Sequence, residues 1–125
     1  MKKIISTLNA PAAIGPYSQA VLTGGVLYSA GQIAIIPETG KLELSNITSE
    51  THQVMKNLEA ILSKADMGFF NVVKCTIFLK DMSHYAEINS VYAQYFSEKP
   101  PAREAVQVSR LPKDVNIEIS IIAVV

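Results

Sequence analysis

Apolar and polar positions along this chain fall into segments with two different periods. Gln19 to Thr23 and Val26 to Ala30 are short strand-type runs joined by Gly24-Gly25, a link that suits the positive backbone angles of a tight hairpin. Pro37-Glu38-Thr39-Gly40 is turn chemistry, and no period is sustained from there to Ser45, which predicts a surface loop. From Asn46, a residue type that caps helices, Val54, Leu58, Ile61, Leu62 and Ala65 recur at helical spacing. Glu50, Gln53, Lys56 and Glu59 fall elsewhere, so the expectation is one buried and one wet face, with Met67-Gly68 closing the helix. The period then changes to two. Val72 to Lys80 predicts a strand with Val73, Cys75, Ile77 and Leu79 on one side and Lys74 and Thr76 on the other.

Asp81 or Ser83 can cap a second helix in which Tyr85, Ile88, Tyr92, Tyr95 and Phe96 share a face, and Pro100-Pro101 stops it. Glu104 to Val108 and Val115 to Val125 read as the last strands, joined by a turn at Leu111-Pro112-Lys113-Asp114. An extra strand at Lys2 to Ile5 completes a β-β-β-α-β-α-β-β order with no repeat or linker, hence one domain over residues 1–125. The fold class is α+β, a single mixed sheet with two helices packed on one face. Ile121, Ile122, Ala123 and Val124 run apolar without alternation, so the face without helices needs another chain. A cyclic homo-oligomer with clefts between subunits follows.

Composition narrows the functional classes. At 125 residues, 49% of them hydrophobic, the chain has material for one core and is not a disordered segment. Eleven Lys and Arg balance eleven Asp and Glu, leaving no basic footprint for nucleic acid or an anionic membrane. One cysteine allows neither an internal disulfide nor a cysteine-rich metal site, and it points to a reducing compartment, the cytoplasm. The run after Lys2-Lys3 is too short for the apolar core of a signal peptide, and no window approaches the roughly 18 apolar residues of a membrane helix.

Candidate chemistry is sparse. Glu118 stands between Ile117 and Ile119, on the expected face of Asn116 and Ser120, and is either a solvent-facing sheet-edge carboxylate or a site group. Arg103 follows Pro100-Pro101-Ala102, a rigid lead-in that would aim a guanidinium fork at a carboxylate; the alternative is a surface salt bridge with Glu104. Tyr17 sits after a Gly-Pro turn, and Gly31 in Ser29-Ala30-Gly31-Gln32 leaves backbone open to close approach. Cys75 reads as inert core, His52 and His84 as helix-surface residues, and the tyrosine stripe of the second helix as core. No phosphate loop or dinucleotide fingerprint is present.

The segments Ala10-Pro-Ala-Ala-Ile-Gly-Pro-Tyr-Ser-Gln19, Ser29-Ala-Gly-Gln32, Pro101-Ala-Arg103 and Arg110-Leu-Pro-Lys-Asp-Val115 with Ile117-Glu118-Ile119 resemble, in order and over nearly the whole chain, the RidA/YjgF family of reactive intermediate deaminases. The resemblance implies a chorismate-mutase-like fold, a homotrimer with intersubunit clefts, and hydrolysis of 2-iminoacids or their enamine tautomers to 2-ketoacids and ammonia, with no metal or organic cofactor. It implies Arg103 as the group that binds the substrate carboxylate, Tyr17 and Glu118 as groups that position or activate water, and Gly31, Asn89 and the backbone around Ala105 as pocket. Glu104 and Ala105 stand where the family commonly has Ser-Cys, which removes a thiol and leaves substrate preference open. A carboxylate-binding or protein-docking trimer without turnover is the alternative. Ribonuclease activity, claimed for some relatives, is disfavoured by the neutral charge.

Overall fold

The computed structural model describes all of residues 1–125. Strands β1 (Lys3–Ile5), β2 (Ala20–Thr23) and β3 (Val26–Ser29) precede helix α1 (Ile47–Lys64), strand β4 (Val72–Leu79), helix α2 (Tyr85–Tyr92) and strands β5 (Ala102–Gln107) and β6 (Ile117–Val124). They form one six-stranded sheet in the order β1-β2-β3-β6-β4-β5, antiparallel except for the parallel β4–β5 pair. The expected α+β class and element order are therefore present. The two hairpin glycines both take positive φ, 55° and 77°, as a two-residue turn between twisted strands requires.

Register assigns each strand residue to a face, because directly opposed residues point the same way and neighbours alternate. Leu27, Cys75, Ile77, Leu79, Ile117, Ile119, Ile121 and Ala123 form the buried side, packed against Val54, Leu58, Ile61 and Leu62 of α1 and Ile88 and Tyr92 of α2. Ile4, Val21, Tyr28, Phe78, Val106, Glu118, Ser120 and Ile122 share the opposite face, which no helix covers. Ile4, Tyr28 and Val106 remain between 42% and 50% exposed there. No helix is long and apolar enough to cross a membrane.

Several local expectations are corrected. Val73 is exposed and Val72 buried, because a β-bulge between Val72 and Lys74 shifts the register against β6. Helix α1 does start at Asn46, whose Oδ1 accepts from the Ser49 N–H at 2.8 Å, but it does not close at Gly68. Asp66 takes the left-handed turn at φ 58°, with the Met67 N–H bonding to the Leu62 carbonyl and the Asp66 N–H to that of Ser63. Helix α2 ends at Tyr92, so Tyr95 and Phe96 pack from beyond its terminus. Neither histidine is a free surface group. The Nδ1 of His52 lies 2.7 Å from the Tyr95 hydroxyl, and that of His84 is buried without a partner.

The largest correction is Glu50, expected on the wet face of α1 and in fact fully buried. Its Oε2 accepts from the Asn116 N–H at 2.8 Å and its Oε1 from Asn116 Nδ2 at 2.7 Å. Asn116 accordingly lies just before β6 and reaches α1 instead of sharing a face with Glu118 and Ser120. The pair anchors the start of the central strand to the first turn of the helix. Glu50→Ala, which leaves two donors of Asn116 unpaired beside a void, is expected to cost about 2–4 kcal/mol. Glu50→Gln keeps one acceptor and should cost less; urea unfolding midpoints of the two variants test that order.

Candidate functional site

Gln19, the last residue before β2, is buried and ties the N-terminal segment to the sheet. Its Nε2 donates to the carbonyls of Pro11 at 2.7 Å and Thr7 at 3.0 Å, while its Oε1 accepts from the Thr7 N–H at 2.7 Å. The Ala10-to-Tyr17 stretch is thereby draped over the end of β3. A cavity of about 590 Å³ opens beneath it, lined by Ile14, Tyr17, Gly31, Pro112, Lys113 and Glu118 among others.

Gly31 and Glu118 are in van der Waals contact. A Cβ added to Gly31 would fall 1.9 Å from Glu118 Oε2, and Gly31 does not take a positive φ. The glycine is required for space rather than for backbone freedom: the room expected to admit a ligand at residue 31 is taken by this chain's own carboxylate. Glu118 lies on β6, which has β3 and β4 as neighbours, so it is no sheet-edge residue. Burial raises its pKa above the ordinary carboxylate value.

Arg103 is elsewhere. It opposes Cys75 on β5 and so leaves the sheet on the helix side, at the open edge strand. Its Nη1 donates to Asn89 Oδ1 at 2.8 Å and its Nη2 to the Tyr85 hydroxyl at 2.5 Å, with the guanidinium 4.8 Å from the Tyr92 ring centroid. A groove of about 450 Å³ beside it is lined by Asn89, Tyr92, Phe96, Pro100, Pro101 and Arg103. The alternative partner, Glu104, turns to the other face, 3.2 Å from Lys74 Nζ and 2.8 Å from Thr76 Oγ1. The Ala105 side chain packs against the core. Cys75 is fully buried, and burial pushes its thiol up to about 11, which keeps it protonated at neutral pH.

The sequence-derived site residues thus fall into two groups. Tyr17, Gly31 and Glu118 meet in one cavity, Arg103 and Asn89 at another, and the sheet lies between Glu118 and Arg103. By helical spacing Tyr85 reads as core, and nothing in the sequence marks Lys113 as a site residue. The hydroxyl of Tyr85 at the first position of α2, one turn before Asn89, was the signal available.

The family model described as Endoribonuclease L-PSP matches residues 7–125. The chain belongs to that family, the YjgF/RidA family. It is 54% identical to a RutC family protein of Pyrococcus horikoshii, with 98% of each chain covered. It is 47% identical to a Bos taurus protein named 2-iminobutanoate/2-iminopropanoate deaminase, over 99% of this chain and 90% of that one. Among solved structures, a Rid family protein of Yersinia pestis superposes with a TM-score of 0.96 at 46% identity, with 100% of each chain covered. Escherichia coli TdcF with bound serine gives 0.94 at 40% identity and 98% coverage of each chain.

The burial of Glu118 sets a sign for its effect on stability. With its folded pKa raised, the native state holds its proton more tightly than the unfolded chain, so stability falls as pH rises through the interval above the ordinary value of 4.5. Glu118→Gln is expected to be more stable than the parent at pH 7, with the gain shrinking towards zero below pH 4.5. Urea unfolding of both proteins at the two pH values checks this.

Proposed function

We propose that this protein is a 2-iminobutanoate/2-iminopropanoate deaminase, a hydrolase acting on carbon–nitrogen bonds, which works as a cytoplasmic homotrimer. In this reading Arg103 and Asn89 of one protomer face Tyr17, Gly31 and Glu118 of its neighbour across each cleft. The observation that carries it is the division of these residues between two surface cavities separated by the sheet, beside a face of exposed apolar side chains. The cavity of Tyr17 and Glu118 holds a base and, in Lys113, an ammonium but no planar guanidinium fork, whereas the Arg103 groove holds the fork and no carboxylate; apposition of two copies would bring fork and base together. The bovine relative's name and the serine bound in TdcF fit a site for a small amino-acid-like carboxylate.

The chemistry needs no redox step. A protonated imine carbon is already electrophilic, so binding the carboxylate through the arginine fork and placing a water over the carbon supplies most of what is required. Water adds through its oxygen and gives a proton to Glu118, whose raised pKa makes it the stronger base. Glu118 returns that proton to the carbinolamine nitrogen, the C–N bond breaks as the oxygen forms the carbonyl, and the hydroxyl proton passes to the departing ammonia, which leaves as ammonium beside the 2-ketoacid and restores the Glu118 carboxylate. The Tyr17 hydroxyl orients water or substrate. Binding without turnover is the second reading, favoured by the fact that serine, the molecule seen in TdcF, is not an imine.

Two measurements decide. Light scattering should return three times the 13.6 kDa chain mass, and a monomer would remove the shared site. Release of 2-ketoacid from 2-aminocrotonate or 2-aminoacrylate, generated in situ by a dehydratase, should exceed the spontaneous rate. Arg103→Ala should lower kcat/KM by about two to three orders of magnitude, equivalent to roughly 3–4 kcal/mol and within the range for a broken charge pair. Arg103→Lys should rescue poorly, because an ammonium lacks the planar fork. Turnover within about threefold of the parent in folded, trimeric Arg103→Ala would be under ~1 kcal/mol and would end this assignment.

A further inference from the structure

The apolar stripe of the second helix contains one residue that does not belong to the core. Ile88, Tyr92 and Phe96 are 2%, 5% and 8% exposed, whereas Tyr85 is 37% exposed and its hydroxyl contacts Arg103. We infer that Tyr85 is part of the carboxylate-holding site: its oxygen fixes the Arg103 guanidinium, and its own hydroxyl proton is donated to the bound carboxylate of a 2-imino or 2-oxo acid. This deepens the function proposed above, from which it takes the Arg103 site.

The polarity of these contacts fixes where the donors point. A guanidinium only donates, so the Tyr85 oxygen accepts from Nη2 and its proton must be directed away from the arginine. By the same logic Asn89 accepts through Oδ1, and its Nδ2 amide protons are left over. Arg103 has five N–H groups, of which one bonds to Tyr85 and one to Asn89, and its side chain has no carboxylate partner in the chain. The result is an unneutralised cation flanked by a hydroxyl and an amide, both with protons to donate and both already polarised by their bonds to the charge. Such a set suits an acceptor-only anion, and three free N–H groups are enough to hold a carboxylate at two points. The Tyr92 ring under the guanidinium and the Pro100-Pro101 turn restrict its plane, so Tyr85 and Asn89 set its rotation.

The test uses the full chain and 2-oxobutanoate as the probe, titrated by calorimetry, alongside steady-state kinetics with the in situ imine. Tyr85→Phe keeps the ring and deletes only the hydroxyl. It should bind 2-oxobutanoate about tenfold more weakly or worse, as expected for losing a hydrogen bond to a charged group. KM should rise by a comparable factor with kcat within about threefold, and the Tyr85→Phe effect should shrink in an Arg103→Ala background. A merely structural role would leave that split and that coupling unmoved. Parent-like affinity for 2-oxobutanoate in Tyr85→Phe, full additivity with Arg103→Ala, or no binding by the parent would overturn the inference. The two readings fail separately. A parent that binds 2-oxobutanoate through Tyr85 yet hydrolyses no imine loses the deaminase assignment and keeps Tyr85. A parent that turns over, with Tyr85→Phe unchanged in affinity and KM, does the reverse.

Discussion

A sheet six strands wide spans about 24 Å, and two helices of roughly 10 Å diameter can cover one of its faces and no more. In this chain the covered face carries the uninterrupted core, with Leu27, Ile77, Leu79, Ile117 and Ile119 almost or wholly withdrawn from solvent. The uncovered face carries Ile4, Tyr28 and Val106 in partial contact with water and Glu118 near one end of its central strand. That asymmetry decides where chemistry can sit. A side chain on the covered face is free only at the rim, as Arg103 is on β5, and a polar side chain on the other face is free only where the N-terminal segment makes a wall, as at Glu118.

Two polar clamps hold those positions, and each is a buried side chain that satisfies backbone. Gln19 fastens residues 7 to 11 and so suspends the stretch up to Tyr17 above Gly31. Glu50 fastens Asn116 and so fixes where β6, and with it Glu118, begins. Buried groups of this kind gain little net stability from being paired but lose much when a partner is removed, which makes them specifiers of geometry more than sources of affinity for the fold. Gly31 completes the arrangement. Any side chain there would collide with the carboxylate, so the burial that raises the Glu118 pKa depends on a missing Cβ one strand away.

Periodicity made the elements legible because each buries one face against a single core. The period of α1, the alternation of β4 from Cys75 onward and the glycine pair of the first hairpin all appear where hydrophobic spacing and turn chemistry put them. What escaped were polar residues whose partners are distant in sequence. Glu50 looks solvent-facing by its residue type, and only the folded chain brings Asn116, 66 residues away, to its carboxylate. Val73 looks buried by alternation, and only the bulge shows that Val72 replaces it. The candidate site divides the same way: motif resemblance named Arg103, Glu118, Tyr17, Gly31 and Asn89, but nothing local could say that one chain holds them in two separate cavities. Tyr85 was hidden by its own helical spacing, since an aromatic at the right period reads as core until its hydroxyl is seen on a guanidinium.

The departures at residues 104 and 105 have a consequence that follows from strand alternation. Glu104 points to the face without helices, where the hydrogen bond from Thr76 and then the contact with Lys74 hold its carboxylate below the ordinary range of ionisation, and it leaves Arg103 without a competing anion. Ala105 points the other way, opposite Ile77, and packs against the core beside the Arg103 strand position. A thiol at 105 would therefore have occupied space between β5 and the helices, two residues along the strand from Arg103, rather than the cavity of Tyr17 and Glu118. The smaller alanine changes volume on the arginine side alone. Groups able to act as a base are untouched by it, while the floor beside Arg103, Asn89 and Tyr85 gains room. If the protein is the deaminase proposed above, residue 105 bears on the size of what lies beside the substrate carboxylate and not on proton transfer at Glu118.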